Sequence, residues 1–286
     1  MSELVSPVKT IEVVPDVLKG YLDQWIASNL KVDVAKFNEV LLRNKAVVAG
    51  SFFIPPVSMF LRSRVRFQPS DVDIWVESKN APSILSDLKL LLQGKAWFKK
   101  PPIVRVVKKN FDELSQYRRL SEDVDSIYVI DTRRNSPGDE RIPLQILACR
   151  NLSRALGSFD LNVCALAWTG ASLQTWVPHV LSSIRDGVMS VNAKALSRQS
   201  ASELTRTLSR VRKYTKYGFR LSSVQPLVTA LHEHFGVDCS EGAMLCENYV
   251  AYFMDGRMPK EYQETLEKQK ERYKLVRFLL HRVNTY

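Results

Sequence analysis

Residues 71–76 read Asp-Val-Asp-Ile-Trp-Val, two carboxylates alternating with apolar side chains before the run turns wholly apolar. Period-two alternation specifies a β-strand, and on a strand residues two apart project from the same face. Asp71 and Asp73 are therefore expected side by side, with Val72, Ile74 and Val76 turned to the opposite face. A strand of this kind demands a core beneath it and leaves two anions together above it. The second constraint lies upstream. Ala46-Val47-Val48-Ala49 is a short apolar run stopped by Gly50-Ser51, which reads as a buried strand entering a tight turn.

The remaining pattern supplies layers around these strands. Residues 10–43 carry two amphipathic helical stripes, Val17, Leu18, Tyr21, Leu22, Trp25 and Ile26, then Val34, Phe37, Val40 and Leu41. Pro82 and Ser83 open another helix lined by Ile84, Leu85, Leu88, Leu91 and Leu92. Strand-like runs follow at 126–130, 142–147 and 159–165, while 52–68 is mixed and is broken by Pro55-Pro56. Beyond residue 192 only helical patterns recur, among them 202–217 and a charge-alternating amphipathic stretch at 259–283 that reads as packing. The expected organisation is an N-terminal helical segment (1–45), a mixed-sheet α/β (α+β) domain (46–192) and a helical C-terminal domain (193–286).

Composition narrows the partners. The chain has 286 residues, with 41 Lys plus Arg against 30 Asp plus Glu, a formal charge of +11. Such a surplus favours a polyanion, because neutralised phosphates release condensed counterions. The cations are clustered: Arg62, Arg64 and Arg66 alternate just before Asp71, Arg133 and Arg134 follow a strand, and Arg206, Arg210, Arg212, Lys213 and Lys216 line the 202–217 helix. Tyr214 and Tyr217 stand among the last group, where aromatics could stack on bases, against a stripe of Leu204, Leu208, Val211 and Thr215. No apolar run reaches the roughly 18 residues of a membrane span, and the N-terminus has no signal-peptide pattern. A cytoplasmic protein with no membrane partner is expected, or a virion- or genome-associated one. Cys149, Cys164, Cys239 and Cys246 form no CxxC pair and read as buried thiols. His232 and His234 with the last two cysteines match no common zinc spacing, so no zinc is expected.

Two hard oxygen ligands at the Asp71–Asp73 spacing suit Mg²⁺, which takes a couple of carboxylates plus substrate phosphates and water. A Gly at Gly50 permits close backbone approach to a ligand, and Ser51 adds a hydroxyl donor. Asp160, read as lying in an apolar strand, would be costly as a lone anion unless paired or metal-bound.

Val47-Val48-Ala49-Gly50-Ser51 followed by Ser70-Asp71-Val72-Asp73-Ile74-Trp75-Val76 resembles the Gly-Ser and Asp-x-Asp signature of the DNA polymerase beta-like nucleotidyltransferase superfamily. Residues 158–168, Ser-Phe-Asp-Leu-Asn-Val-Cys-Ala-Leu-Ala-Trp, are similar to the third-carboxylate strand of its tRNA CCA-adding group and of related uncharacterised bacterial and viral members. The Arg-Lys-Tyr-x-x-x-Gly-Phe run at 212–219 resembles the helix after their catalytic core, so the likeness covers roughly 40–221. The resemblance implies transfer of a nucleoside monophosphate from a nucleoside triphosphate to an acceptor hydroxyl by a two-metal in-line displacement, with RNA the favoured acceptor given the charge. It implies Asp71, Asp73 and Asp160 as catalytic ligands of Mg²⁺ or Mn²⁺, and Gly50 and Ser51 as the triphosphate site. Arg62, Arg64, Arg66, Arg206, Arg210 and Lys213 are the candidate phosphate or nucleic-acid contacts.

The chain also departs from the pattern. Nineteen residues separate Ser51 from Asp71 and include Pro55-Pro56, and Asp160 is not preceded by the usual Arg. No acidic/arginine template-like motif is visible, so CCA addition is not expected. The rival expectation is a catalytically inactive protein of the same fold serving as a nucleic-acid-binding or assembly factor. A transferase acting on tRNA or on a protein hydroxyl, as toxins do, is a third.

Overall fold

The computed structural model describes residues 9–10, 16–93, 105–109, 124–131, 142–196, 201–223, 226–227 and 229–230. The chain divides into two compact units, Met1–Val188 and Met189–Tyr286. The 259–283 stretch, the His232–Cys246 cluster, Arg133 and Arg134 lie outside the described residues.

The first unit opens with β1 (Lys9–Thr10), α1 (Asp16–Leu30) and α2 (Val34–Asn44). Leu18, Leu22, Ile26 and Leu30 recur every fourth residue of α1 and are all buried. Asp33 caps α2, accepting from the Lys36 N–H at 3.3 Å, and Lys45 ends it in a left-handed conformation with φ 49°. β2 (Val47–Ala49) follows directly.

After Gly50 comes a 3₁₀ turn, Ser51–Phe53, continuous with α3 (Ile54–Phe60). Here Pro55-Pro56 does not break the chain. Both prolines sit in the first turn of α3, where the amide protons they lack have no intrahelical acceptor. Arg62, at φ 55°, closes the helix, and the Ser63 N–H reaches Ser58 O at 2.8 Å.

β3 (Val72–Glu77), α4 (Ala81–Gln93), β4 (Arg105–Lys109), β5 (Val124–Asp131) and β6 (Leu144–Cys149) come next. The last begins two residues later than its apolar run, because Pro143 has no N–H for the ladder; its carbonyl instead accepts from the Val72 N–H at 2.9 Å. Asp125, beside a bulge in β5, accepts from the Ser78 hydroxyl and from Arg150 at 2.8 Å, and these donors hold its carboxyl below the usual range. α5 (Leu152–Gly157), β7 (Leu166–Trp168), β8 (Leu173–Thr175) and α6 (Val180–Asp186) complete the unit.

Among the described residues the strands form one mixed eight-stranded sheet ordered β1-β8-β7-β2-β3-β6-β5-β4. β3 is central, antiparallel to β2 and parallel to β6. Helices cover both faces. On the face of Val48 and Trp168, the Trp168 indole N–H donates to Asn38 Oδ1 of α2 at 2.9 Å. The other face, with Val47, Ala49, Trp75, Ile127, Leu147 and Ala167, packs on Ala155 and Leu156 of α5.

The described part of the second unit is small: β9 (Val188–Met189, at the boundary) pairs with β10 (Arg220–Leu221), and α7 (Ala193–Leu196) and α8 (Ala201–Lys216) lie between them. On α8, Thr207, Leu208, Val211 and Tyr214 are buried.

Candidate active site

β2 and β3 bring the two sequence motifs together. Their register sets Ala49 opposite Asp73, so Gly50 leaves β2 at the level where the carboxylates stand. Gly50 has φ 96° and ψ −148°, a region open essentially to glycine alone. A Cβ placed there would lie 3.6 Å from Asp73 Oδ2, so this backbone passes directly by the carboxylate. The Gly50 N–H is tied to Leu166 O of β7 at 3.2 Å. Ser51 is half-buried and begins the 3₁₀ turn. Since Pro55 and Pro56 carry no amide proton and the Phe53 and Ile54 N–H groups close the 3₁₀ turn, amide donors for an anion here come from Ser51 and Phe52. The turn is anchored from α1, where the Trp25 indole N–H donates to Phe52 O at 2.9 Å and the two rings lie 6.0 Å apart.

Asp71 and Asp73 are both half-exposed, on the α5 face of the sheet. Gln145, in register with Asp73 on β6, donates from Nε2 to Asp71 Oδ2 at 3.4 Å. The donated N–H, with its positive partial charge, offsets part of the repulsion between two adjacent anions.

Asp160 is placed differently from the expectation. Residues 159–165 do not form a strand: Asp160 lies in a bend after α5, Asn162–Cys164 is a 3₁₀ turn, and pairing with β2 begins only at Ala167. Asp160 is 7% exposed and is engaged by neighbouring groups. The preceding Phe159 ring sits edge-on to Trp75, at 5.8 Å. Among the described residues no group of three or more His, Cys, Asp or Glu side chains is placed to hold a metal ion. The donor set present fits one hard cation, two carboxylates with the remaining positions left to phosphate and water.

The arginine row keeps its period without a ladder. From Arg62 to Ser70 exposure alternates residue by residue, with Ser63, Val65, Phe67 and Pro69 buried and Arg62, Arg64 and Arg66 exposed. The Ser63 hydroxyl fixes the segment by donating to Ile184 O at 2.7 Å. Arg62 and Arg64 thus stand exposed on the segment that runs into Asp71, while the Arg66 guanidinium folds back to donate to Ser63 O at 3.3 Å and Val65 O at 3.4 Å.

Comparison with solved structures gives matches to a CCA-adding enzyme in an apo form (TM-score 0.50, 15% identity, 90% of this chain and 63% of that one). A CCA-adding enzyme with CTP also matches, at TM-score 0.47 and 15% identity over 93% of this chain and 62% of that one. The fold is that of a nucleotidyltransferase. The chain spans less than two thirds of the length of these enzymes. No protein-family model matches the sequence, and no curated protein is detectably similar to it. Within the nucleotidyltransferase fold, two features escaped sequence reading. One is Gln145, which becomes a neighbour of the carboxylates only through the parallel pairing of β3 with β6. The other is Tyr214, read as open to bases but 3% exposed, its ring 5.9 Å from that of Phe219.

No helix among the described residues is long and apolar enough to cross a membrane. Cys149 and Cys164 are buried thiols, the former donating to Val76 O at 3.3 Å.

Proposed function

We propose that this chain is a metal-dependent nucleotidyltransferase that moves a nucleoside monophosphate from a nucleoside triphosphate to an acceptor hydroxyl, with RNA as the acceptor. The observation that carries this reading is the placement of Asp71 and Asp73 on one face of β3 beside the Gly50 turn. In this reading the two carboxylates hold Mg²⁺ or Mn²⁺. When bound, the cation supplies Lewis-acid stabilisation of charge on the transferring phosphoryl group. The Gly50 and Ser51 backbone borders the triphosphate, and the Ser51 hydroxyl donates to it. Arg62, Arg64 and Arg66 offer charge to phosphates along the outward face of their segment.

The second reading, a nucleic-acid-binding or assembly factor without transfer activity, is favoured by the amide of Gln145 standing opposite Asp73. Incubating the protein with each labelled triphosphate, Mg²⁺ or Mn²⁺ and total RNA distinguishes the two. Label entering RNA supports transfer to RNA. Label entering protein redirects the acceptor, and no incorporation in any combination favours the second reading.

The second unit supplies a further test. On α8, Arg206, Arg210 and Lys213 fall within a sector of about 60° at 100° per residue, on the side away from buried Val211. Reversing the charge of Arg206, Arg210 and Lys213 together is expected to weaken RNA binding and to flatten its dependence on salt. Each lost phosphate contact should lower the slope by about one unit. Affinity and slope both unchanged in a folded triple variant would remove this face from the RNA surface.

A further inference from the structure

The strand register around Asp73 decides what kind of metal site these residues can build. β2 supplies Ala49 opposite Asp73 on one side, and β6 supplies Gln145 on the other. Neither in-register neighbour carries a carboxylate. A site for two cations places them about 3.5–4 Å apart, where their mutual repulsion has to be offset by anionic oxygens on more than one side. The position best placed to add that charge, beside both Asp71 and Asp73 on the adjacent parallel strand, holds a neutral amide. Its Nε2 is already directed at Asp71 Oδ2, 3.4 Å away. An N–H₂ group carries positive partial charge and offers a cation nothing. Asp160 lies in the bend after α5, outside the strand pairs that flank Asp73.

We propose that the Asp71–Asp73 site takes a single divalent cation, and that Gln145 is the positioning residue that sets this number. It does so by withholding the third negative charge and by donating to Asp71. The inference rests on the reading of Asp71 and Asp73 as metal ligands given above. It adds that cation count, and with it activation of the acceptor hydroxyl, is limited at one residue. The isosteric change Gln145→Glu alters charge while keeping shape, so it should convert the site without rebuilding the strand.

The experiment titrates Mn²⁺ alone into the full chain, reading bound stoichiometry and the electron paramagnetic resonance spectrum, beside thermal unfolding. Wild type should bind one Mn²⁺ per chain with an uncoupled spectrum, and Asp73→Asn should bind none at this site. Gln145→Glu should bind two, with the exchange coupling of neighbouring ions. Its metal-free melting temperature should fall below that of wild type, because three like charges now repel, and should recover on adding Mn²⁺. Gln145→Asp is the second variant should the longer side chain fail to fold, with the same expected doubling. Two coupled ions in wild type, both lost in Asp73→Asn, would overturn the single-cation inference and leave the proposed function standing. A folded Gln145→Glu or Gln145→Asp that still binds one ion would likewise overturn it. Binding in wild type that Asp73→Asn does not change, or no binding at all, would overturn the metal-site reading itself.

Discussion

Asp73→Asn is expected to leave the protein folded while removing Mn²⁺ or Mg²⁺ binding and, with it, transfer. Asp73 stands at the junction of β2, β3 and the Gly50 turn, half-exposed and on the same face as Asp71. Replacing one of two adjacent carboxylates relieves like-charge repulsion in the metal-free state, so the melting temperature should hold or rise. The functional loss is in the other direction. A direct ligand should cost more affinity than the roughly 10–100-fold lost when an outer-shell partner is removed. Turnover should fall by about 10²–10³-fold or more, the scale of one preorganised electrostatic contact. Asp71→Asn should behave alike, with the added loss of the charge that Gln145 now contacts. Metal affinity by titration and label transfer at saturating Mg²⁺ are the measurements. Near-normal turnover in either variant removes that residue from the site.

Asp160→Asn should do the reverse, costing stability and leaving metal affinity alone. The side chain is 7% exposed, is engaged by neighbouring groups, and follows Phe159, which packs on Trp75 at the centre of the α5 face. Exchanging a buried, partnered carboxylate for an amide leaves part of its hydrogen bonding unmade, at a cost of about 1–3 kcal/mol. For a unit of this size that is a drop of roughly 2–4 °C per kcal/mol, and it should be the same with and without Mn²⁺. An unchanged or higher metal-free melting temperature, accompanied by weakened Mn²⁺ binding, would instead restore Asp160 to the metal ligands.

Local periodicity determined much of this protein on its own. The alternation at 71–76 is sufficient to define β3 and to put Asp71 and Asp73 on one face, because side-chain direction in a strand has a strict period of two. The four-residue spacing of Leu18, Leu22, Ile26 and Leu30 and the run from Ile84 to Leu92 likewise define α1 and α4. Gly50 after β2 was legible because only glycine takes its backbone angles without strain. Pro55-Pro56 read as an interruption, since proline in isolation removes donors. It proved to be a helix start, because whether a missing N–H matters depends on which turn of the helix it occupies.

What the tertiary structure alone decided is which distant residues stand beside the carboxylates. Gln145 meets Asp73 through the register of a parallel pair whose strands are joined by α4, β4 and β5, and no local pattern encodes such a register. Apolar context made residues 159–165 look like a strand. The chain instead spends them turning into β7, because burial beside α6, where the Asn162 amide donates to Ser183 Oγ, satisfies apolar side chains in any backbone conformation. Tyr214 read as an aromatic among cations, yet it lies on the buried side of α8 against Phe219, which approaches only when the chain turns back after Gly218. Sequence fixes what each segment prefers. Long-range pairing fixes which neighbours those segments acquire, and in this protein that pairing places an amide, rather than a third carboxylate, opposite Asp73.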